Sequence, residues 1–144
     1  MKLHSIINTR VRYAETDQMG VVYHSNYYHY MEIGRTDYLR KRGMNYSEIE
    51  HRGYYMFVTE THCYYKKPAK FEEKISIETI LEKLGGASLN YKYIIRNESE
   101  ELLAEGYTKH AFTTLKGKPT KIPQEIKDIL TKKIDDSHSK NIED

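Results

Sequence analysis

The sequence has a single cysteine, no tryptophan and no apolar run near the roughly 20 residues that a membrane-spanning helix needs. One cysteine cannot form a disulfide within the chain, and the segment from Met1 to Ser5 lacks the apolar core of a signal peptide. With 38% hydrophobic and 31% charged residues, the composition is that of a globular protein. We therefore expect a cytoplasmic protein with no integral membrane association.

A strong charge of either sign is also missing, because the net charge is only +2. A dedicated nucleic-acid binder usually carries a concentrated basic stripe, so we expect no nucleic-acid partner. Aromatic residues are unevenly distributed, with 14 tyrosines but only 3 phenylalanines. This bias is typical of a β-rich domain whose sheet faces are lined by tyrosine, although oligomer faces or a ligand groove would also explain it.

Alternating apolar and polar residues predict five strands. The first strand, Ser5–Tyr13, turns Ile7, Thr9, Val11 and Tyr13 to one face. Tight turns between the later strands favour antiparallel pairing, which gives an α+β class with one long helix against the sheet. We predict one domain over residues 1–144 with a frayed tail at 135–144. The other four strands are predicted over residues 54–65, 74–84, 88–96 and 102–115.

Helical spacing predicts a long helix from Asn26 to Gly43, capped at its start by Ser25 or Asn26. Gly34, in the middle of this helix, costs about 1 kcal/mol relative to alanine. We expect a close approach of the helix to the sheet to offset that cost. Two short helices are predicted, over residues 45–53 and from residue 123 onward. The inward stripe of the long helix consists of Tyr27, Tyr30, Met31, Gly34, Tyr38 and Leu39.

A polar turn containing Asp17 and Gly20 precedes the long helix. A carboxylate beside a helix N-terminus has backbone N–H groups nearby that lack intrahelical partners. That pairing suits acyl transfer, in which an acid attacks or activates water and an N–H stabilises the oxyanion. The structural alternative is that Asp17 only stabilises the turn through local hydrogen bonds.

The stretch Tyr13-Ala14-Glu15-Thr16-Asp17-Gln18-Met19-Gly20-Val21-Val22-Tyr23-His24-Ser25-Asn26-Tyr27 resembles the signature of the 4-hydroxybenzoyl-CoA thioesterase family. Its nearest likeness is the acyl-CoA thioester hydrolase branch found with Tol–Pal genes. The segment Tyr65-Lys66-Lys67-Pro68-Ala69 resembles a second, weaker family motif, and the resemblance covers about residues 4–130. It implies a hotdog fold, in which a curved, antiparallel five-stranded sheet wraps one long helix.

The resemblance also implies an acyl-CoA thioester hydrolase (EC 3.1.2.-) that needs no cofactor and no metal. Asp17 would be the nucleophile or general base, and the backbone N–H of His24 the oxyanion donor. Gly20 would allow the tight turn. Tyr13 and the His24 side chain would be supporting catalytic groups.

Substrate-binding residues are predicted in two groups. Tyr27 and Thr59 are expected in the acyl pocket, which in this family lies between two subunits of a homodimer or of a dimer of dimers, a homotetramer. Lys66 and Lys67 are expected to bind the phosphates of CoA, although such lysines ordinarily form a solvated rim.

Other interpretations of the same residues remain. The chain could be an inactive acyl-CoA-binding protein, an acyl-carrier-protein thioesterase or a dehydratase. Cys63 lies within a strand and reads as a small core residue, because no activating group is evident beside it. His24 and His29 have no cysteine or carboxylate that completes a coordination set, so a metal site is not predicted.

Overall fold

The computed structural model describes residues 3–135 and 140–141, and it contains the predicted antiparallel sheet. The five long strands lie in the order β2–β5–β4–β3–β1, and every neighbouring pair is antiparallel. Strand β2 is therefore an edge strand. The strand bounds are β1 His4–Arg10, β2 Tyr54–Tyr65, β3 Lys74–Leu84, β4 Ser88–Asn97 and β5 Leu102–Thr114.

Three α-helices accompany the sheet. Their bounds are α1 Asn26–Lys41, α2 Tyr46–His51 and α3 Gln124–Leu130, close to the predicted ranges. All six residues of the predicted inward stripe of α1 are buried. Within the described residues, no helix has the length and apolar character needed to cross a membrane.

At Gly34 the backbone of α1 lies close against the sheet. A Cβ atom at this position would lie 2.3 Å from Thr79 Oγ1 and 2.9 Å from Ile77 Cγ2, both on β3. These distances are far below van der Waals contact, so only glycine fits without movement. The predicted close approach is confirmed.

The first strand is shorter than predicted. It ends at Arg10, and Tyr13 begins a single 3-10 turn, Tyr13–Glu15, with its side chain 77% exposed. The Glu15 carboxylate accepts hydrogen bonds from the Arg12 N–H at 2.9 Å and the Tyr30 hydroxyl at 2.8 Å. These bonds draw the chain away from the sheet, so the period-two pattern does not extend to Tyr13.

A short strand, β6 Lys140–Asn141, pairs in parallel with Ile7 and Asn8 of β1. The prediction of a frayed tail at 135–144 otherwise lies mostly on residues outside the described part of the chain.

Two clusters of buried side chains form the core between the helices and the sheet. One contains Tyr38, Tyr91 and Phe112 and packs α1 and α3 against the middle of the sheet. The other contains Tyr30 and Ile77 and lies beneath the N-terminal half of α1. This second cluster supports the turn that carries Asp17.

Candidate active site

The turn from Asp17 to Gly20 is held by short local hydrogen bonds. The Gly20 N–H donates to the Asp17 carbonyl at 3.0 Å, and Gly20 has φ +79°, a conformation that glycine adopts readily. The Met19 N–H donates to Asp17 Oδ1 at 2.8 Å. The Asx-turn role of Asp17 is therefore confirmed. Its second oxygen, Oδ2, has no hydrogen bond or ion pair within the described residues.

Glu15 connects this turn to the start of α1. Its backbone carbonyl accepts hydrogen bonds from the Asn26 side chain at 2.8 Å and the Tyr23 N–H at 2.9 Å. Its carboxylate accepts a hydrogen bond from the buried Tyr30 hydroxyl. Burial raises the pKa of Tyr30, and the Glu15 carboxylate raises it further. Sequence reasoning missed Glu15, because only its contacts with α1 distinguish it from the neighbouring acid.

The N-terminus of α1 is capped differently from the prediction. The Ser25 side chain makes no capping hydrogen bond, and the Asn26 side chain is engaged by Glu15. Within the described residues, the backbone N–H of His24 donates to no acceptor. The carbonyl of His24 accepts a hydrogen bond from the Tyr65 hydroxyl at 3.0 Å, which links β2 to the helix start.

A groove of about 290 Å³ brings most of the predicted residues together. Asp17, His24 and Tyr27 line its helix side, and Lys66 and Lys67 line the side that follows β2. The remaining lining residues are Met19, Val21, Val22, Tyr65 and Pro68. The groove therefore combines a carboxylate, a helix N-terminus, an apolar wall and two lysines.

Tyr65 is a second residue that sequence reasoning did not assign to the site. Its ring meets the Tyr27 ring edge-on, with centroids 5.2 Å apart. Burial, with Cys63 nearby, raises the pKa of Tyr65 to about 12, so its hydroxyl keeps its proton at neutral pH. Its place directly before the Lys66-Lys67-Pro68 motif was the available signal.

Two predicted residues lie elsewhere within this chain. Tyr13 is not in the groove lining, and its ring packs edge-on against Phe71 at 5.7 Å. Thr59 occupies a bulge in β2, where its hydroxyl donates to the Lys109 carbonyl at 3.2 Å. Tyr65 lies six positions after Thr59 along the strand, or roughly 20 Å away. Thr59 therefore does not meet the groove of its own chain.

The two lysines differ in their surroundings. The Lys67 ammonium forms an ion pair with Glu101, and that pair lowers the pKa of the Glu101 carboxyl. The Lys66 ammonium lies 5.4 Å from the centre of the Tyr64 ring and has no acidic partner in the described part of the chain. Lys66 is thus the more available cation.

Cys63 is half-buried and packs against both core clusters. Burial raises the pKa of its thiol to about 11. A thiol that stays protonated at neutral pH is a poor nucleophile, which agrees with the predicted core role.

Comparison with known proteins places this arrangement in a family. The family model described as the thioesterase-like superfamily matches residues 11–130, a range that includes the whole groove. The chain belongs to the thioesterase-like superfamily.

Relatives of this superfamily member carry thioesterase names. The acyl-CoA thioesterase YbgC of Haemophilus influenzae is 33% identical over 121 residues, which cover 82% of this chain and 88% of that protein. The solved DHNA-CoA thioesterase of Staphylococcus aureus is 37% identical with a TM-score of 0.82, covering 87% of this chain and 85% of the other.

More distant structures agree in fold alone. A 4-hydroxybenzoyl CoA thioesterase is 14% identical with a TM-score of 0.80, covering 89% of this chain and 99% of the other. The α+β hotdog fold predicted for this superfamily member is therefore confirmed.

Proposed function

We propose that this protein hydrolyses acyl-CoA thioesters to a carboxylic acid and free CoA. The observation that carries the proposal is the pairing, in one groove, of the Asp17 carboxylate with the N-terminus of α1. The names and identities of the relatives support the same activity. The motif over residues 13–27 further supports a place in the Tol–Pal-associated branch.

In the proposed reaction the substrate carbonyl lies between Asp17 and the start of α1. Asp17 Oδ2 either attacks the carbonyl carbon or removes a proton from an attacking water. The backbone N–H of His24 stabilises the negative charge that develops on the carbonyl oxygen. The carbon–sulfur bond then breaks, CoA leaves as a thiolate that takes up a proton, and water supplies the oxygen of the acid.

The same motif supplies the supporting roles. Gly20 shapes the turn, and the His24 side chain, which lines the groove, assists as a supporting group. Tyr13 is assigned the same role from the motif alone, since its ring packs against Phe71 outside the groove lining. A thioester is electrophilic and its thiolate is a tolerable leaving group, so we propose that neither a metal nor a cofactor takes part.

For the substrate, we propose that Tyr27 contacts the acyl group and that Lys66 and Lys67 hold the phosphates of CoA. The lysines lie at the mouth of the same groove as Asp17, which supports a single bound CoA thioester.

We propose a homodimer joined through β2, with two dimers able to form a tetramer. Edge strand β2 exposes Phe57 at 49% and Val58 at 44%, and an open apolar edge is suited to pairing with a second copy. We propose that in this dimer Thr59 of one copy lines the groove of the other. We also propose that residues 1–144 form one domain and that the protein is cytoplasmic, consistent with its lone cysteine.

The decisive experiment is thiol release from a panel of acyl-CoA substrates by the wild type and Asp17→Asn. The asparagine keeps an oxygen that can accept the Met19 N–H, so the turn survives while the negative charge is lost. We expect kcat to fall by about a hundredfold to ten-thousandfold. Asp128→Asn is the matched control, because Asp128 is an exposed acid on α3 whose Oδ1 also accepts one hydrogen bond, from the Gln124 side chain.

Near wild-type turnover by Asp17→Asn would refute the proposed role of the carboxylate. If the wild type bound CoA but hydrolysed no member of the panel, the acyl-CoA-binding interpretation would replace the enzymatic one.

A further inference from the structure

A second cavity, of about 310 Å³, lies between α1, α2 and the β2–β5 edge of the sheet. It shares no lining residue with the Asp17 groove. Met56 and Val58 of β2 form an apolar wall. The polar lining consists of Arg35, Thr36, Tyr46, His110 and the exposed Glu32. We call this space the α1–β2 cavity.

His110 places an unsatisfied ring nitrogen in this region. The side chain is 1% exposed, and Nε2 lies 2.7 Å from Thr108 Oγ1. Its other nitrogen, Nδ1, is buried and has no hydrogen-bond partner within the described residues. Burial, assisted by the charge of Arg35, lowers the pKa of His110 to about 3. The ring is therefore neutral at neutral pH and carries one hydrogen.

A buried relay indicates which nitrogen carries that hydrogen. The Tyr93 hydroxyl lies 2.6 Å from Thr108 Oγ1, and the Arg35 charge acts on Tyr93. A guanidinium only donates hydrogens, so of the two hydrogen-bonding neighbours of the Tyr93 hydroxyl only Thr108 Oγ1 can accept its hydrogen. Thr108 then donates to Nε2 of His110. The ring hydrogen is left on Nδ1, which becomes a donor.

Tyr46 supplies a second unsatisfied donor. Its hydroxyl is buried and has no hydrogen-bond partner in the described part of the chain. The Arg35 guanidinium lies close to the hydroxyl oxygens of Tyr46 and Tyr93 and forms no ion pair within the described residues, although the charge of Glu32, three residues earlier on α1, acts on it. A guanidinium and two neutral donors thus border one cavity, in which the exposed Glu32 is the one carboxylate among the lining residues. Buried donors without acceptors are costly, so a ligand that accepts hydrogen bonds explains their retention.

We propose that the α1–β2 cavity binds a carboxylate, held by the Arg35 guanidinium and by hydrogens from Tyr46 and His110. Carboxylate oxygens accept several hydrogen bonds at once, and Arg35 offers charge-assisted ones, whereas the exposed Glu32 is the one lining group whose charge opposes a bound anion. Met56 and Val58 then contact the apolar part of the same ligand.

The carboxylate has two chemical sources. It is either the distal end of a dicarboxylic acyl group on CoA or a free carboxylic acid, which includes the product of hydrolysis. The first source rests on the proposed function. Arg35 lies 11 residues after His24, or about 16 Å along α1. A bound acyl group must therefore span that distance or reach the cavity from a neighbouring subunit.

The test is isothermal titration calorimetry of the full chain with glutarate and benzoate, compared with glutaramide and benzamide. We expect both acids to bind, and the amides to bind at least about tenfold more weakly because they lack the charge. Arg35→Gln should weaken acid binding by about tenfold to a hundredfold. Arg40→Gln is the control for the lost charge, since Arg40 is exposed on the same helix, and it should bind like the wild type.

Tyr46→Phe is a second test variant, chosen because it should fold like the wild type. The tyrosine hydroxyl has no partner within the described residues, so this variant should keep its Tm while its affinity for the acids falls several-fold. The proposal is overturned if the wild type binds neither acid. It is also overturned if Arg35→Gln and Tyr46→Phe bind the acids as well as the wild type does.

Activity assays then separate the two sources. A higher kcat/KM for glutaryl-CoA than for pentanoyl-CoA, lost in Arg35→Gln, assigns the carboxylate to the substrate. Equal kcat/KM values, together with calorimetric binding of the free acids, assign it to a free ligand. If no acyl-CoA is hydrolysed, the proposed function fails while the calorimetric test of this cavity still stands.

Discussion

Replacing Gly34 with alanine tests the close packing of α1 against the sheet. In an unconstrained helix this change would stabilise the protein by about 1 kcal/mol, because glycine is the poorer helix former. Here the new Cβ would lie 2.3 Å from Thr79 Oγ1 and 2.9 Å from Ile77 Cγ2. Both neighbours are fully buried, β-branched side chains of β3, which have few alternative rotamers.

The magnitude follows from the two opposing effects. Forcing an extra carbon into a packed core costs about 1–3 kcal/mol, and two contacts this short favour the upper end. After the helix-propensity gain is subtracted, we expect the free energy of unfolding to fall by about 2 kcal/mol. For a chain of this size the Tm should fall by roughly 5–8 °C.

Urea unfolding and thermal melts of Gly34→Ala would measure the effect. Gly86→Ala is the matched control, because a Cβ there meets no atom within 4 Å. Thr79→Ala removes the nearest oxygen, so the double variant should recover about 1–2 kcal/mol relative to the sum of the single changes. An increase in stability for Gly34→Ala alone would refute the packing between α1 and β3.

Three further outcomes are expected. Lys66→Ala should raise the KM for acyl-CoA several-fold with little change in kcat. Lys67→Ala should raise the KM less, because Glu101 already neutralises that charge. Equal KM values in both variants and the wild type would remove these lysines from the site. The Cys63 thiol, with a pKa of about 11, should react with iodoacetamide at pH 7 much more slowly than free cysteine, and an equal rate would contradict its burial. Because the pKa of His110 is lowered to about 3, the unfolded chain binds more protons between pH 6.5 and 3, so stability should fall as the pH falls through that window. The loss should approach about 1.4 kcal/mol per pH unit, and His110→Gln should show a shallower dependence in urea unfolding.

Much of the fold could be predicted because its patterns are local. Strands β2 and β3 begin and end at the predicted residues, and the buried stripe of α1 contains every residue that helical spacing indicated. The failures occur where a distant partner intervenes. Tyr13 continues the strand pattern but leaves the sheet, because the Glu15 carboxylate accepts a hydrogen bond from the hydroxyl of Tyr30 on α1.

The candidate site could be predicted in part. The turn at Asp17 and the helix start lie close together in sequence, so their proximity was accessible from the chain itself. The sequence did not indicate that Tyr65 would hold the His24 carbonyl, or that Ser25 would leave its capping position unused. Both outcomes depend on how β2 ends against the start of α1.

The sequence by itself determined the strand and helix order, the Asx turn and the family resemblance, because period, turn chemistry and motif spacing are properties of neighbouring residues. Only the tertiary structure decided which polar groups meet across the core. Arg35, Tyr46 and His110 come from α1, α2 and β5, and their convergence depends on sheet register and helix packing. The same holds for the groove, where a turn, a helix end and the end of an edge strand place Asp17 among side chains that no local pattern connects.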